Sequence, residues 1–379
     1  MDFIQLIGVV AVEYPKYLFS KKYDSSVFWN KCIRINVVYT KILQAMAINY
    51  SSIEHQHFVI PYDASELPVV HGFTTTNCKV IGSGMIAIVF EAVENENVYI
   101  IKAKRNGIDQ KLRQGLSQVK TIMDWLCYIP YVNSFNLRYV FEDIQETMLQ
   151  QLNFEDEVKN HKKFKEMFAG NEQIVIPDLF EDRCTSTQIV MSKLDGNHYH
   201  ATMTQREEYS KLIMNMVVKG LVMDGIIHAD LHAGNIIFMN NKIGIIDFGL
   251  MLKFQKEEHA NFMKIIKHVV LHECEQAFEK IFSTVIEPED RKQQLTHAQK
   301  EELKQNLIAI YYNATAVNKC FSSTDICKVI QQLHKYNLYL YIVFYKLVMT
   351  ISASEMMLRQ LTPQSSALFI EYAKELLTQ

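Results

Sequence analysis

From residue 77 to residue 103 the period changes, and short apolar runs rich in β-branched residues stand between polar and glycine-containing clusters, the pattern of strands. The runs 78–81, 87–93 and 98–103 predict three strands, with Glu94, Asn95, Glu96 and Asn97 as a hairpin turn. Further on the period lengthens. Residues 136–168 predict one long helix that stops before Ala169-Gly170-Asn171, and 206–223 an amphipathic helix ended by Asp224-Gly225. Strands are predicted at 174–176, before Pro177, and at 187–191. The apolar runs 236–239 and 243–246 flank Asn240-Asn241-Lys242 and predict a second hairpin. Everything after it reads as helix, with a break near 283–291. Residues before 70 also read as mainly helical, with Leu43, Met46 and Ala47 near one face of 37–48. Pro61 and Pro68 bracket a non-helical connector. This order predicts an α+β chain: a helical N-terminal extension over 1–76, a strand-rich lobe with inserted helices over 77–195, and a mostly helical lobe over 196–379.

Composition narrows the class. At 379 residues and 49% apolar content, the chain can bury two or three cores. A net charge of −3 gives no global case for a nucleic-acid partner. Seven cysteines, Cys32, Cys78, Cys127, Cys184, Cys274, Cys320 and Cys327, are odd in number and lack a C-x-x-C pair. That favours packed thiols in an intracellular reducing compartment over disulfides or zinc. Asp2 and the short apolar run behind it predict no signal or transit peptide. The longest apolar run, 338–351, is interrupted by Lys346 and too short to span a bilayer, so a soluble or peripheral membrane protein is expected.

Candidate chemistry concentrates at 225–251. His228, Asp230 and Asn235 read H-x-D-x-x-x-x-N, and Asp247-Phe248-Gly249 follows one apolar strand later. In a phosphotransfer site the first Asp meets the attacking oxygen or orients a water. The Asn and the second Asp hold the magnesium ions that bridge the phosphates. Asp230 is therefore the catalytic candidate, Asn235 and Asp247 are the metal ligands, and ATP with Mg2+ are the cofactors. Upstream, Ile81-Gly82-Ser83-Gly84-Met85-Ile86-Ala87 joins two strands through small residues that let backbone N–H groups approach phosphates. Val89 follows it, and Lys102 ends the third strand, where alternation turns it inward to the α- and β-phosphates. Such a lysine needs an acidic partner. Glu157 is chosen, with Glu155 and Glu142 as alternatives. Met191 would back the adenine slot, and Ser192, Lys193 and Leu194 would form the hinge. Together these features predict a two-lobed protein-kinase-like fold.

On these residues the chain resembles the aarF-domain-containing (UbiB/ADCK) atypical kinases. Residues 228–235 are similar to that family's H-A-D-P-H-P-G-N, with Leu231 and Ala233 in place of the prolines. Residues 151–160 resemble its E-L-D-F-x-x-E-A-x-N, a register that also selects Glu157 as the partner of Lys102. Residues 190–196 resemble its hinge, and Lys346 through Glu355 to 361–363 its closing pattern. Lys41-Ile42-Leu43-Gln44 falls where the family carries K-x-G-Q, an element that folds over the active site. Leu43, Gln151 and Asn153 depart from the pattern, so Lys41 cannot form the family's ion pair. Gly82 and Gly84 stand in a loop the family makes from alanines. Lys102, Glu157, Asp230, Asn235 and Asp247 are all kept.

The resemblance implies an atypical kinase or ATPase in isoprenoid-quinone or lipid metabolism at a membrane surface. The alternative is a nucleotide-binding pseudokinase or scaffold acting as a conformational switch. An aminoglycoside-phosphotransferase-like kinase would share the catalytic loop but not residues 151–160 or the N-terminal extension. No A-P-E motif follows Gly249, and the chain runs directly into a helical pattern, which favours a small or lipid-like acceptor, or water, over a peptide. Lys104, Arg105, Lys111, Arg113 and Lys120 precede Trp125, Tyr128 and Tyr131; they read as a peripheral membrane contact or as a solvated basic helix. The aromatic run 336–345, at helical spacing, is a second candidate for membrane contact and reads first as lobe core. His228, Asp230 and His232 could be called a metal cluster, but no further ligands lie at metal-site spacing. His232 is expected to pack or to bond backbone.

Overall fold

The computed structural model describes residues 62–74, 77–126, 137–200, 203–318 and 323–362, with isolated positions between 5 and 38 and at 375. Residues 41–44, nearly all of 37–48, Pro61, 127–132 and Pro363 lie outside the described residues, as do the side chains of Trp125 and Glu355.

Elements follow in the order β1 (Cys78–Ser83), β2 (Ala87–Glu94), β3 (Asn97–Lys104), α1 (Ile108–Leu126), α2 (Leu137–Gln150), α3 (Phe154–Met167), β4 (Ile174–Val175), β5 (Gln188–Ser192), α4 (Arg206–Lys219), β6 (Ile226–His228), β7 (Ile236–Met239), β8 (Lys242–Ile245) and β9 (Met251–Lys253). After them come α5 (Lys256–Val270), α6 (Cys274–Thr284), β10 (Ile286–Glu287), α7 (Glu289–Gln294), α8 (His297–Asn318), α9 (Ser323–His334), β11 (Tyr339–Leu340) and α10 (Ile342–Leu361). They form two compact units, Met1–Glu155 with Asp178–Lys193, and Asp156–Pro177 with Leu194–Gln379.

The first unit is built on an antiparallel sheet in the order β1-β2-β3-β5. Asn95 and Glu96 close the β2–β3 hairpin with φ of 48° and 65°, the left-handed pair that a two-residue turn requires. One sheet face packs Ile88, Phe90, Ala92, Tyr99, Ile101, Ala103 and Val190 into a core. The opposite face carries the row Gly82, Val89, Lys102 and Ile189, paired strand to strand. Lys102 thus lies on the face opposite the apolar core. Helix α1 buries Ile108, Leu112, Leu116 and Val119 at three- and four-residue spacing, so the basic stretch is an amphipathic helix.

In the second unit β4 runs parallel to β8, and β8 pairs antiparallel with β7. Helix α4 continues through a π-turn over Gly220–Asp224 to Gly225, whose φ of 62° ends it. Phe164, Ile213, Leu221, Ile236, Ile243 and Phe248 are buried in one large core.

Three expectations need correction. The long helix over 136–168 is two helices. Leu152 and Asn153 donate to Leu149 and Gln150 oxygens in tight turns, and Asn153 stands just before α3, where a helix start favours it. The chain after the second hairpin is not all helix, because β9 pairs with β6 and β10 with β11. The aromatic run 336–345 is not one helix either: Asn337 takes φ of 54°, β11 follows, and α10 starts at Ile342. Leu338 and Phe344 from that run are nonetheless buried. Among the described residues no helix is long and apolar enough to cross a membrane.

Candidate active site

The β7–β8 hairpin aligns Ile236 with Ile245 and turns at Asn241, whose φ is 55°. It therefore brings Asn235, just before β7, beside the chain that leaves β8 for Asp247. The Ile246 N–H donates to the Asn235 carbonyl at 3.2 Å. The Asn235 side chain, 9% exposed, donates through Nδ2 to the Asp230 carbonyl at 2.9 Å. Only the amide nitrogen can meet a carbonyl, so this bond fixes which atom of Asn235 is the oxygen.

His228 ties the two motifs together. Its ring is 2% exposed; Nδ1 accepts from the Asp230 N–H at 3.1 Å, and Nε2 lies 2.7 Å from the Asp247 carbonyl. An acceptor at Nδ1 places the proton on Nε2, so the neutral ring donates to Asp247. The Asp247 carboxylate accepts the Gly249 N–H at Oδ1, 2.8 Å away. Phe248 is fully buried, with the rings of His161 and Phe164 centred 4.5 and 5.4 Å from its own.

Two residues of α3 reach the same turn. Glu157, 3% exposed, accepts a long hydrogen bond from the Phe248 N–H at 3.5 Å. A side chain at Gly249 would crowd that carboxylate, since its Cβ would sit 3.3 Å from Glu157 Oε2. Asn160 donates to the Phe248 carbonyl at 3.0 Å and accepts from Lys253 Nζ at 2.6 Å. Sequence reasoning gave Asn160 no role, although it closes the motif at 151–160.

Asn235 and Asp247 offer an amide oxygen and a carboxylate, hard donors suited to Mg2+ rather than zinc. His232 Nδ1 accepts from the Gly234 N–H at 3.0 Å, and its Nε2 lies 3.9 Å from Asp230 Oδ2. With both ring nitrogens of His228 on backbone, that residue has no lone pair for a metal. Among the described residues, no group of three or more His, Cys, Asp or Glu side chains converges as a metal site.

The first unit carries the remaining candidates. Gly82, Val89, Lys102 and Met191 share one face of the sheet, Met191 being paired with Ile100. Lys102 Nζ lies 5.8 Å from the centre of the Phe154 ring. In the loop, Ile81 is the extra residue of a β-bulge and half exposed, while Met85 and Ala87 are buried. Ser83 ends β1, and the Gly84 N–H closes on the Ala87 carbonyl at 2.9 Å. Lys193 pairs with Glu91 at 2.6 Å. Leu194 belongs to the second unit, where it packs on Gly244 so closely that a Cβ there would lie 2.3 Å from Leu194 Cδ1.

The basic stretch does not present five cations to solvent. Lys104 pairs with Asp109 at 3.0 Å, Arg105 is buried against Glu66 at 2.8 Å, and Lys111 also pairs with Glu66; Arg113 and Lys120 are exposed. Cys78, Cys184 and Cys274 are free thiols.

Comparison with known proteins places the chain among its relatives. Over 211 residues, 54% of the chain, it is 26% identical to an uncharacterized protein in the hydrogenase 1 5' region of Clostridium pasteurianum, spanning 40% of that protein. It is 22% identical to the probable serine/threonine-protein kinase abkB of Dictyostelium discoideum over 50% of the chain and 31% of that protein. Against the probable protein kinase UbiB of Haemophilus ducreyi it is 26% identical over 55% of the chain and 45% of the relative. The chain thus spans less than half the length of each of these curated relatives. The solved structure of Rv3197 from Mycobacterium tuberculosis, in complex with erythromycin, superposes with a TM-score of 0.56 at 16% identity, covering 95% of this chain and 99% of that one. That likeness speaks for the fold, a mixed α+β protein-kinase-like one. The model of the ABC1 atypical kinase-like domain matches residues 46–281, more than half of the chain, and the chain belongs to that family.

Proposed function

We propose that the chain is a phosphotransferase, an atypical kinase or ATPase that takes Mg·ATP and passes the γ-phosphoryl group to a small or lipid-like acceptor, or to water. The observation that carries this reading is His228, whose two ring nitrogens hold the Asp230 and Asp247 backbones in one fixed arrangement. Fixed polar groups of this kind let a site stabilise developing charge without reorganising at the moment of reaction.

Asp230 orients the attacking hydroxyl or water and accepts its proton as the new O–P bond forms. The bond from the γ-phosphorus to its bridging oxygen breaks in the same exchange, and ADP leaves with the electron pair. Asn235 and Asp247 would hold magnesium, which when bound neutralises phosphate charge. Lys102 is assigned to the α- and β-phosphates and Glu157 to Lys102. Residues 81–87 are assigned to the phosphates, and Val89, Met191, Lys193 and the backbone at Leu194 to the base. Leu250, β9 and two more residues are all that separate Gly249 from α5, which leaves no long platform for a peptide. This supports the small or lipid-like acceptor.

The test follows the γ-phosphate of labelled Mg·ATP incubated with the full chain, with and without vesicles containing anionic lipid. Label recovered as inorganic phosphate or on a lipid supports the reading. Nucleotide that binds tightly while every label stays in ATP would replace it with a pseudokinase switch.

A further inference from the structure

Residues 81–87 are held from within by the pairing of Gly82 and Ser83 with β2 and by the Gly84 N–H on the Ala87 carbonyl, and Arg105 grips them from outside. Arg105 is 5% exposed. Its Nε donates to the Gly84 carbonyl at 2.9 Å, Nη2 to Ser83 Oγ at 2.6 Å, and Nη1 to Glu66 Oε2 at 2.8 Å. The Arg105 N–H also donates to the Ile86 carbonyl at 2.8 Å. A planar fork of five donors can serve three acceptors in fixed directions, which an ammonium cannot.

Glu66 comes from the connector ahead of the sheet, and that connector is itself docked. The Asn106 N–H donates to the Glu66 carbonyl at 3.1 Å, and Asn106 Nδ2 to the Leu67 carbonyl at 2.6 Å. Lys111 is the second cation on the Glu66 carboxylate. Burial pulls the Arg105 pKa below its ordinary value, and the Glu66 charge opposes this. A cation this far from water needs its partner. The carbonyls of Gly84 and Ile86, which would repel a phosphate, are both occupied by Arg105.

We propose that Arg105, anchored by Glu66, is a positioning residue that sets the loop over residues 81–87 to receive phosphate, so the connector governs affinity for the nucleotide's phosphates and not for its base. The inference rests on the assignment of that loop to the phosphates.

The experiment titrates the full chain with Mg·ATP and, separately, with adenosine, in wild type, Arg105→Lys, Arg105→Met and Glu66→Gln, with Tm measured for each. Arg105→Met should weaken Mg·ATP by roughly tenfold to a hundredfold, the scale of a misplaced binding group, and leave adenosine as it was. Arg105→Lys should recover part of the loss, and Glu66→Gln should show a smaller loss in the same direction. Unchanged Mg·ATP affinity in Arg105→Met overturns the proposal. So does equal weakening of ATP and adenosine in step with a falling Tm, because a purely structural role predicts that. Should Arg105→Met not fold, Glu66→Gln carries the comparison, and an unchanged ratio of the two affinities there is the contrary result. A wild type that binds ATP no better than adenosine removes the phosphate-loop assignment itself, which separates the two failures.

Discussion

Around residues 81–87 the holding group is one buried cation with a carboxylate behind it. Around 228–249 the holding groups are distributed: an imidazole on two backbone groups, an amide on the Asp230 carbonyl, another amide on Phe248, a buried phenyl ring, and the Asp247 and Glu157 carboxylates on backbone N–H groups. The two regions ask different things of solvent. An ionic clasp responds to its counter-charge, whereas a hydrogen-bonded network shows its weight when a member is removed and a buried group is left unsatisfied.

The largest effect that separates the regions is expected at His228. His228→Ala strands the Asp230 N–H and the Asp247 carbonyl and opens space beside Phe248, a loss of about 2–4 kcal/mol in stability. Chemical denaturation reads this directly, and a stability equal to wild type would show the bridge to be ornamental. Asn160→Ala should cost less, about 1–2 kcal/mol for its half-buried hydrogen bond to Phe248 and the exposed one from Lys253. In a turnover assay it should lower kcat and spare the KM for ATP, since it acts on the Asp247 turn. A raised KM with kcat intact would place Asn160 with nucleotide binding instead.

The smallest effect belongs to the clasp. Burial would raise the Glu66 pKa, but the hydrogen bond and charge of Lys111, the charge of Arg105 and the Asp63 N–H together bring it below the ordinary carboxylate value. A depressed carboxylate contributes its stability fully above the unfolded pKa and loses it as pH falls through the folded one. The Tm difference between wild type and Glu66→Gln should therefore be greatest near neutrality and vanish as pH drops through the lowered Glu66 value. A difference that grows with acid would contradict the sign. Between neutral pH and the ordinary carboxylate range the difference should hold steady.

The two regions were also unequally legible in the sequence. Asn235, Asp247 and the hairpin between them could be read because strand period, turn residues and motif spacing agree. The three strands of the first sheet were visible for the same reason. The break at 151–153 was hidden because neither Gly nor Pro marks it and helical spacing resumes at once. Strands β9, β10 and β11 are too short to show a period of two. Arg105 was read as a surface charge because arginine is rarely buried, and its partner Glu66 lies far back in the chain. Such a contact leaves no local signal. His228 was legible as a motif letter, but its role as a bridge depends on where two backbone groups fall.

The central claim is that Asp247 belongs to a working phosphotransfer site. The direct measurement is Mg2+-dependent ATP turnover by the full chain beside Asp247→Asn, which keeps the side-chain shape and the contact to Gly249 while removing the charge. Turnover in wild type that falls by at least about a hundredfold in the variant, the scale of losing one charge-stabilising group, is the predicted result. Equal turnover in the two proteins would contradict it.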